Sequence, residues 1–426
     1  MQQQPTDHTD VLIIGAGLAG LAAADRMRDS GRAVTVLDGA DRVGGRSYGM
    51  QWPAAGRAID MGGTWLLPSF ERSFALLTEL GIATTESPKV AAPVTHLAEG
   101  VVARDRAAGA EAAQLRAAIA ALRDAIERSP RALTAAEALA AVPASPFARD
   151  WHAATQRYLA GAPLDAIDAT HLLIDEDDLN NPDHYATQIA GTTRALVTAL
   201  AERSGARILL GHAATEVWAA PADHPDSEAR LRVRTASGSI WEAADVILAV
   251  PRNTLGGIRI DLPLPAAFTE LAAAPHPGAS RKDWFVLDGV AEHFRVFASE
   301  GSFGYFRSEA RLPDGGMLAV ALAPSAKGLP TPAELHDAVQ AYLPGATVRE
   351  HVRHDWIAEP WARGTWFVPR PGDPARNAAL PAALAAATPA LQIVGGDVSV
   401  DFPGTLEGAI RTGTDAADRI LRAPRV

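Results

Sequence analysis

Three glycines, Gly15, Gly17 and Gly20, fall at the spacing G-x-G-x-x-G between an apolar run, Val11 to Ile14, and a helical pattern, Leu18 to Met27. That arrangement suits a phosphate ligand. The first glycine permits a tight turn, the second lets a pyrophosphate approach the backbone, and the third lets helix and strand pack closely. The helix start at Leu18 and Ala19 then directs its partial positive charge at the phosphates. Alone the pattern is weak, because glycine and alanine fill many apolar turns. Asp38 supplies context, following Gly17 by 21 residues at the end of a second strand, "AVTVLD". A carboxylate there can accept from a ribose 2′-hydroxyl. Without the glycines it would read as a solvated strand end; with them, as a nucleotide ligand.

A second set of close approaches narrows the nucleotide. "DRVGGRSYG" brings Gly44, Gly45 and the Arg46 guanidinium, and "DMGGTW" brings Gly62, Gly63 and Thr64 with Trp65 behind them. An extended dinucleotide lying across a domain needs such repeated backbone approaches. A nicotinamide cofactor in one βαβ unit does not, so the expected cofactor is FAD.

The elements that hold these residues follow from periodicity. Strand, glycine turn, helix and strand open the chain as a βαβ unit. Residues 106–129 place Leu115, Ile119, Leu122 and Ile126 at 4-3-4 spacing, an amphipathic helix whose stripe reads as packing. "SPFARDWHAATQRYLAGA" continues the helical texture. From about 207 short strands take over ("RILLG", "ATEVWAA", "LRVRTASG", "DVILAVP"), and 278–368 mixes strands ("KDWFVL", "MLAVALA") with the helix "PAELHDAVQAYL". The chain ends on a strand, "LQIVGG", and a helix through Leu406, Ile410, Gly413, Ala417 and Ile420. Pro221 to Asp226 and Pro371 to Pro374 read as surface connections. The expected fold is α/β, a Rossmann-like FAD-binding domain (1–88, 186–262, 389–426) with an interleaved α+β substrate-binding domain, helical over 89–185 and sheet-like over 263–388.

Composition sets the bounds. At 426 residues two domains are the natural prior. The net charge of −11 argues against nucleic acid or an anionic membrane as partner. Cysteine is absent, which excludes disulfides, thiol nucleophiles and cysteine-linked cofactors. The polar start, "MQQQPTDHTD", lacks a signal-peptide pattern, and no apolar stretch is long enough to span a bilayer, so a cytoplasmic protein is expected. No metal site is expected, and a homodimer stays open.

With these motifs the sequence resembles the flavin-containing amine oxidases, the monoamine oxidase group, and within it is most similar to the bacterial 6-hydroxynicotine oxidases. The N-terminal forty residues, "DMGGTW", "ATQIAGTTRAL", "VILAVPRNT", "HDWIAEPWARGTW" and "VGGDVSVDFPGTLEGAI" carry the likeness from end to end. The resemblance implies that Gly395, Gly396 and Asp397 lie along the ribityl chain, while the helix starting at Thr405 points at the flavin edge where charge gathers on reduction. It implies Lys282 near flavin N5 with a water, Trp356 beside the dimethylbenzene ring, and Trp366 as one wall of an aromatic cage. Leu18, Ala19, Gly39, Val217, Val250, Thr405 and Leu406 would also contact the cofactor. Pocket aromatics would come from Trp65, Trp284, Phe303, Tyr305, Phe306 and Trp366. Three positions depart from the pattern. Thr405 replaces the tyrosine of the cage, Gly191-Thr192 stands where two glycines are expected, and Asp38 stands for the commoner glutamate. The implied reaction is hydride transfer from the α-carbon of a neutral, bulky or cyclic amine to noncovalent FAD, with molecular oxygen as acceptor and hydrogen peroxide as product. A dehydrogenase or desaturase that uses another acceptor, or an inactive flavin-binding protein, are the alternatives. Residues 90–180 carry no motif, and substrate choice is expected to lie there.

Overall fold

The computed structural model describes residues 6–86, 93–97, 100–103, 110–174, 187–220, 231–290, 293–325 and 329–423. Val11 to Ile14 read as a fully buried run, and the strand Thr6–Ile14 is indeed paired on both sides, by Val34–Leu37 and Ile240–Leu248, both parallel to it. The eight-stranded sheet around it is mixed. Leu391–Ile393 joins in parallel, whereas Leu231–Thr235 runs antiparallel between Ile240–Leu248 and Ala214–Ala219. Its strands thus come from three separate stretches of chain. The fold is α/β.

Helices cover this sheet because small residues let them approach it. A Cβ on Gly20 would overlap the carbonyl of Gly15, and a Cβ on Gly413 would overlap the carbonyl of Ala19. The helix Leu18–Arg26 and the C-terminal helix Leu406–Arg422 therefore cross backbone to backbone. Ala16, Leu21, Ala24, Ile410 and Ala417 fill the core between them.

A second sheet of seven strands carries the segments Ser280–Asp288, Arg295–Ala298, Tyr305–Arg311, Met317–Pro324 and Thr347–His354, with Pro93–Leu97 and Gly100–Ala103 at one edge. One face packs under the helix Pro332–Tyr342 through Phe285, Phe303, Phe306 and Val339. The helix Pro146–Leu159 packs on this sheet at Arg295–Ala298 and Met317–Pro324, Ala110–Arg128 packs on that helix, and Ala135–Ala141 packs on Ala110–Arg128.

Two sequence expectations need correcting. Pro371 to Pro374 is no surface connection: Asp373 is 1% exposed and starts the helix Asp373–Ala387. Burial is made tolerable by Arg252, itself 2% exposed, which forms an ion pair with the Asp373 carboxylate. Residues 263–388 also do not all belong with the second sheet. Phe268, Leu271, Leu380 and Leu384 pack with Val217, Leu248 and Leu391 in the core of the first. The loop from Pro221 to Asp226 lies outside the described residues. No helix among the described residues is long and apolar enough to cross a membrane.

Candidate active site

One cavity of about 1160 Å³ runs from the glycine loop to the second sheet. At its first end the helix Leu18–Arg26 begins at Gly17 with no side-chain cap, and Gly17, Leu18 and Ala19 line the wall. Those uncapped N–H groups need acceptors, and a bound phosphate would supply them. Gly15 adopts φ +113° with its would-be Cβ 2.6 Å from the Ala249 carbonyl, so only glycine can make this turn. Beside Gly17 nothing stands within 4 Å of a would-be Cβ, which leaves room for a ligand against the backbone. Gly20 lines no part of the cavity; it permits the helix–strand contact.

Asp38 lines the cavity and also braces the loop. Its carboxylate accepts from the N–H of Ala16 at 2.6 Å and of Ala40 at 2.8 Å. Burial pushes its pKa up, against those two hydrogen bonds and the nearby Arg42. Gly39, Gly44, Gly45 and Val250 complete this end. Val217 does not: it is 0% exposed inside the core of the first sheet, because its side chain points to the covered face.

Further along, Arg46 and Asp397 are bonded to each other at 2.7 Å, and Arg46 also donates to the Thr365 carbonyl. Asp397 takes the Arg252 N–H on its other oxygen, at 2.9 Å. Burial alone would raise this carboxyl, but Arg46, His276 and the Arg252 hydrogen bond outweigh it, and the net shift is downward. A Cβ on Gly62 would overlap the Arg46 carbonyl, and one on Gly396 would meet the Thr405 carbonyl at 3.1 Å. Two chain segments therefore meet across glycines, as a cradle for an extended ligand requires. The residues present fit FAD.

Lys282 sits at the junction of the two ends. Its ammonium donates to the Gly62 carbonyl and the Thr64 hydroxyl, and stands 5.0 Å from the Trp65 ring centroid. Burial lowers its pKa from 10.5 to about 8, with Asp60 and Glu309 opposing. Asp60 in turn is raised by burial to about 6 and is held by the N–H and hydroxyl of Thr193. The residue before Thr193 is one of the departures noted in the sequence. Thr192 occupies the left-handed region at φ 71°, next to Gly191 at φ 78°, so a threonine stands where glycine would be unstrained.

Trp356 is 5% exposed, donates to the Met61 carbonyl at 3.0 Å and lines the cavity. Trp65, Tyr305, Trp366, Thr405 and Leu406 line it too. Trp366 is fixed by a hydrogen bond from Nε1 to the Leu159 carbonyl. Thr405 caps the last helix, its hydroxyl accepting from Gly408 N–H at 3.0 Å and donating to the Phe402 carbonyl at 2.9 Å.

Three expected pocket aromatics lie elsewhere. Trp284 shares a strand face with Lys282, but the hairpin through Trp52, Ile59 and Met61 covers it, and its Nε1 donates to the Asp60 carbonyl. Phe303 and Phe306 are in the core under Pro332–Tyr342. Strand alternation gives Tyr305 to the cavity and Phe306 to the core. The wall they were expected to build comes instead from Trp151, Tyr158, Leu159, His171 and Phe297. Trp151 and Tyr158, seven residues apart on one helix, were a legible signal.

Comparison with known proteins agrees with this geometry. Residues 18–421 match the family described as flavin containing amine oxidoreductase. (S)-6-hydroxynicotine oxidase of Paenarthrobacter nicotinovorans is 28% identical over 97% of this chain and 100% of its own. Pseudooxynicotine dehydrogenase of a Pseudomonas species is 24% identical over 96% of this chain and 86% of its own. Among solved structures, putrescine oxidase bound to putrescine aligns with a TM-score of 0.81 at 21% identity, over 98% of this chain and 100% of that one.

Proposed function

On the premise that the chain belongs to the flavin-containing amine oxidoreductases, and so oxidises an amine with FAD, we propose that its substrate is a bulky or cyclic amine. We further propose that FAD is held noncovalently and that molecular oxygen is the final acceptor. When bound, FAD takes a hydride from the carbon next to the amine nitrogen, leaving an imine that hydrolyses, and passes the electrons to oxygen as hydrogen peroxide. Gly15, Gly17, Asp38, Gly44, Gly45 and Arg46 would hold its nucleotide part, and Gly62, Gly63, Trp356, Gly396, Asp397 and Leu406 the rest.

The observation that carries the substrate reading is the aromatic wall. Trp151, Tyr158, Phe297, Tyr305 and Trp366 all line the cavity, while Thr405 presents a small side chain whose hydroxyl is committed to the helix. Such a wall offers broad apolar area and few hydrogen bonds, which suits a ring system over a short diamine. It also selects the protonation state. An ammonium entering this cavity loses its water and meets the Lys282 cation, so both desolvation and like charge favour the neutral amine. Lys282 itself has three N–H donors, two of them spent on Gly62 and Thr64, so one remains for a water or the ligand. With its pKa near 8, Nζ can release or regain a proton at working pH.

The absence of cysteine supports noncovalent FAD. The purified protein should be yellow, and acid or heat should release all of its flavin into the supernatant. Flavin that stays with the precipitate overturns that part. A steady-state peroxide assay across linear and cyclic amines tests the rest. Peroxide formation with cyclic amines preferred supports the reading, preference for short diamines overturns the substrate class, and turnover with artificial acceptors alone overturns oxygen.

A further inference from the structure

Among the groups that line the cavity beside the aromatic wall, His171 is one whose hydrogen-bonding sense is fixed by the fold. Gln156, 1% exposed on the helix Pro146–Leu159, grips it twice. The Gln156 amide Nε2 donates to the His171 carbonyl at 3.2 Å, and its Oε1 lies 2.6 Å from His171 Nδ1. An amide oxygen only accepts, so Nδ1 carries the imidazole proton. A neutral imidazole has one N–H, and Nε2 is then a lone-pair acceptor. Burial lowers the His171 pKa to about 4, so the ring stays neutral through the working range. The ring lines the cavity and is only partly buried, and Nε2 has no hydrogen-bond partner among the described residues.

Resting on the reading that this cavity takes a bulky amine, we propose that His171 Nε2 is a substrate-recognition group, a hydrogen-bond acceptor for a hydroxyl or N–H carried on the ring system of the substrate. The preferred substrates are then aromatic or cyclic amines bearing such a donor. Trp151, Tyr158 and Phe297 supply the apolar faces around it. Trp151 stacks on Phe297 at 5.9 Å, and Tyr158 meets Phe297 at 5.8 Å, so the wall is rigid around the acceptor. An acceptor in an otherwise apolar wall discriminates, because a ligand without a donor displaces the water at Nε2 and leaves it unmatched. Gln156 contributes by holding the tautomer and is a positioning residue.

The test uses matched ligands on the FAD-loaded protein: 2-phenylpyrrolidine and its ortho-, meta- and para-hydroxylated forms. Their Kd values are read by stopped flow under anaerobic conditions, from the flavin absorbance perturbation that precedes any bleaching, at a pH where the phenol is neutral. At least one hydroxylated form should bind about tenfold or more tightly than the parent. His171→Phe should bring that ratio to about one. Gln156→Leu, which frees the tautomer, should lower it as well and stands in if His171→Phe does not fold. A parent that binds as well as every hydroxylated form, or a ratio untouched by both substitutions, overturns the proposal. The amine-oxidation reading is judged separately on the same samples. Ligands that bind but never bleach the flavin defeat that reading while leaving the affinity ratio to decide the role of His171.

Discussion

Lys282 is the residue where burial and chemistry conflict most openly. Its ammonium is held inside the protein, and its pKa falls from 10.5 to about 8 chiefly by desolvation. The unfolded chain keeps that proton up to about pH 10.5, so between pH 8 and 10.5 the unfolded state binds more protons than the folded one. Stability from this group therefore rises with pH across that window, by up to roughly 3 kcal/mol. Lys282→Met should lack the rise. The chain has three lysines, Lys89, Lys282 and Lys327, so the difference between urea midpoints of the cofactor-free proteins from pH 7.5 to 10.5 isolates it. A constant difference would mean Lys282 is not buried as a cation. The same variant should lose any limb near pH 8 in the rate of anaerobic flavin reduction or of reoxidation, while retaining flavin. Thr405 carries the companion prediction. Thr405→Tyr puts a ring into the cavity, so kcat/KM should move towards small amines, since overpacking against a bulky substrate costs roughly 1–3 kcal/mol. It also removes the cap on Gly408, which should cost about 0.5–2 kcal/mol of stability. A substrate ratio equal to wild type would take Thr405 out of the pocket. At this scale the placement of single residues was legible where a motif fixed it, as in the turn at Gly15 and the position of Asp38 on the cavity. It was not legible at Trp284 and Phe306, because the two faces of a buried strand have the same composition.

Elements explain why the last helix starts where it does. Glu407, the residue after Leu406, is 0% exposed and reaches back to another helix, Glu71–Glu79, which has no side-chain cap of its own. Its carboxylate accepts from the N–H of Arg72 at 3.1 Å, the N–H of Ser73 at 2.8 Å and the Ser73 hydroxyl at 2.7 Å, and is paired with Arg411 at 2.6 Å. One side chain thus caps a helix far away in sequence while standing in the first turn of its own. Charge-assisted hydrogen bonds of this kind contribute about 1.5–3 kcal/mol each in mutational series. Glu407→Ala should therefore lower stability by roughly 2–4 kcal/mol, more than an ordinary cap substitution, and the urea midpoint checks it. A loss below about 1 kcal/mol would mean that water replaces Glu407 at the helix end. Capping across sequence leaves no local signal, so this bond was invisible in the chain, whereas the βαβ unit was plain. The helix Asp373–Ala387 was hidden for a different reason: Pro374 and Pro381 argue against a helix, yet the first sits in the opening turn and the second is tolerated inside.

At the scale of the molecule, the cavity is walled by stretches that are distant in the chain: the glycine loop, the turn after Asp60, the strand with Lys282, and the segments around Trp356 and Thr405. Sequence placed most of these together because each brings glycines or aromatics in a pattern tied to the cofactor. The cavity wall of Trp151, Tyr158 and His171 belongs to no motif: the seven-residue spacing of Trp151 and Tyr158 marks one helix face in the sequence, but nothing local tells a face that lines a cavity from one that packs in a core. Such a division has a thermodynamic consequence. A ligand that touches every one of these segments binds the folded chain and has no comparable site in the unfolded one. At a free FAD concentration a hundred times its Kd, linkage stabilises the fold by about 2.7 kcal/mol. For 426 residues the unfolding entropy is large, so this corresponds to a Tm rise of about 3 °C. Protein stripped of flavin should therefore melt lower and recover as FAD is added back. The rise should grow with the logarithm of the FAD concentration beyond saturation, since mass action continues after every site is filled. Covalently attached flavin would behave otherwise: no added FAD would shift its Tm, and no stripping would yield a competent apoprotein. A Tm indifferent to FAD from tenfold to a thousandfold above Kd would overturn noncovalent binding, however yellow the protein.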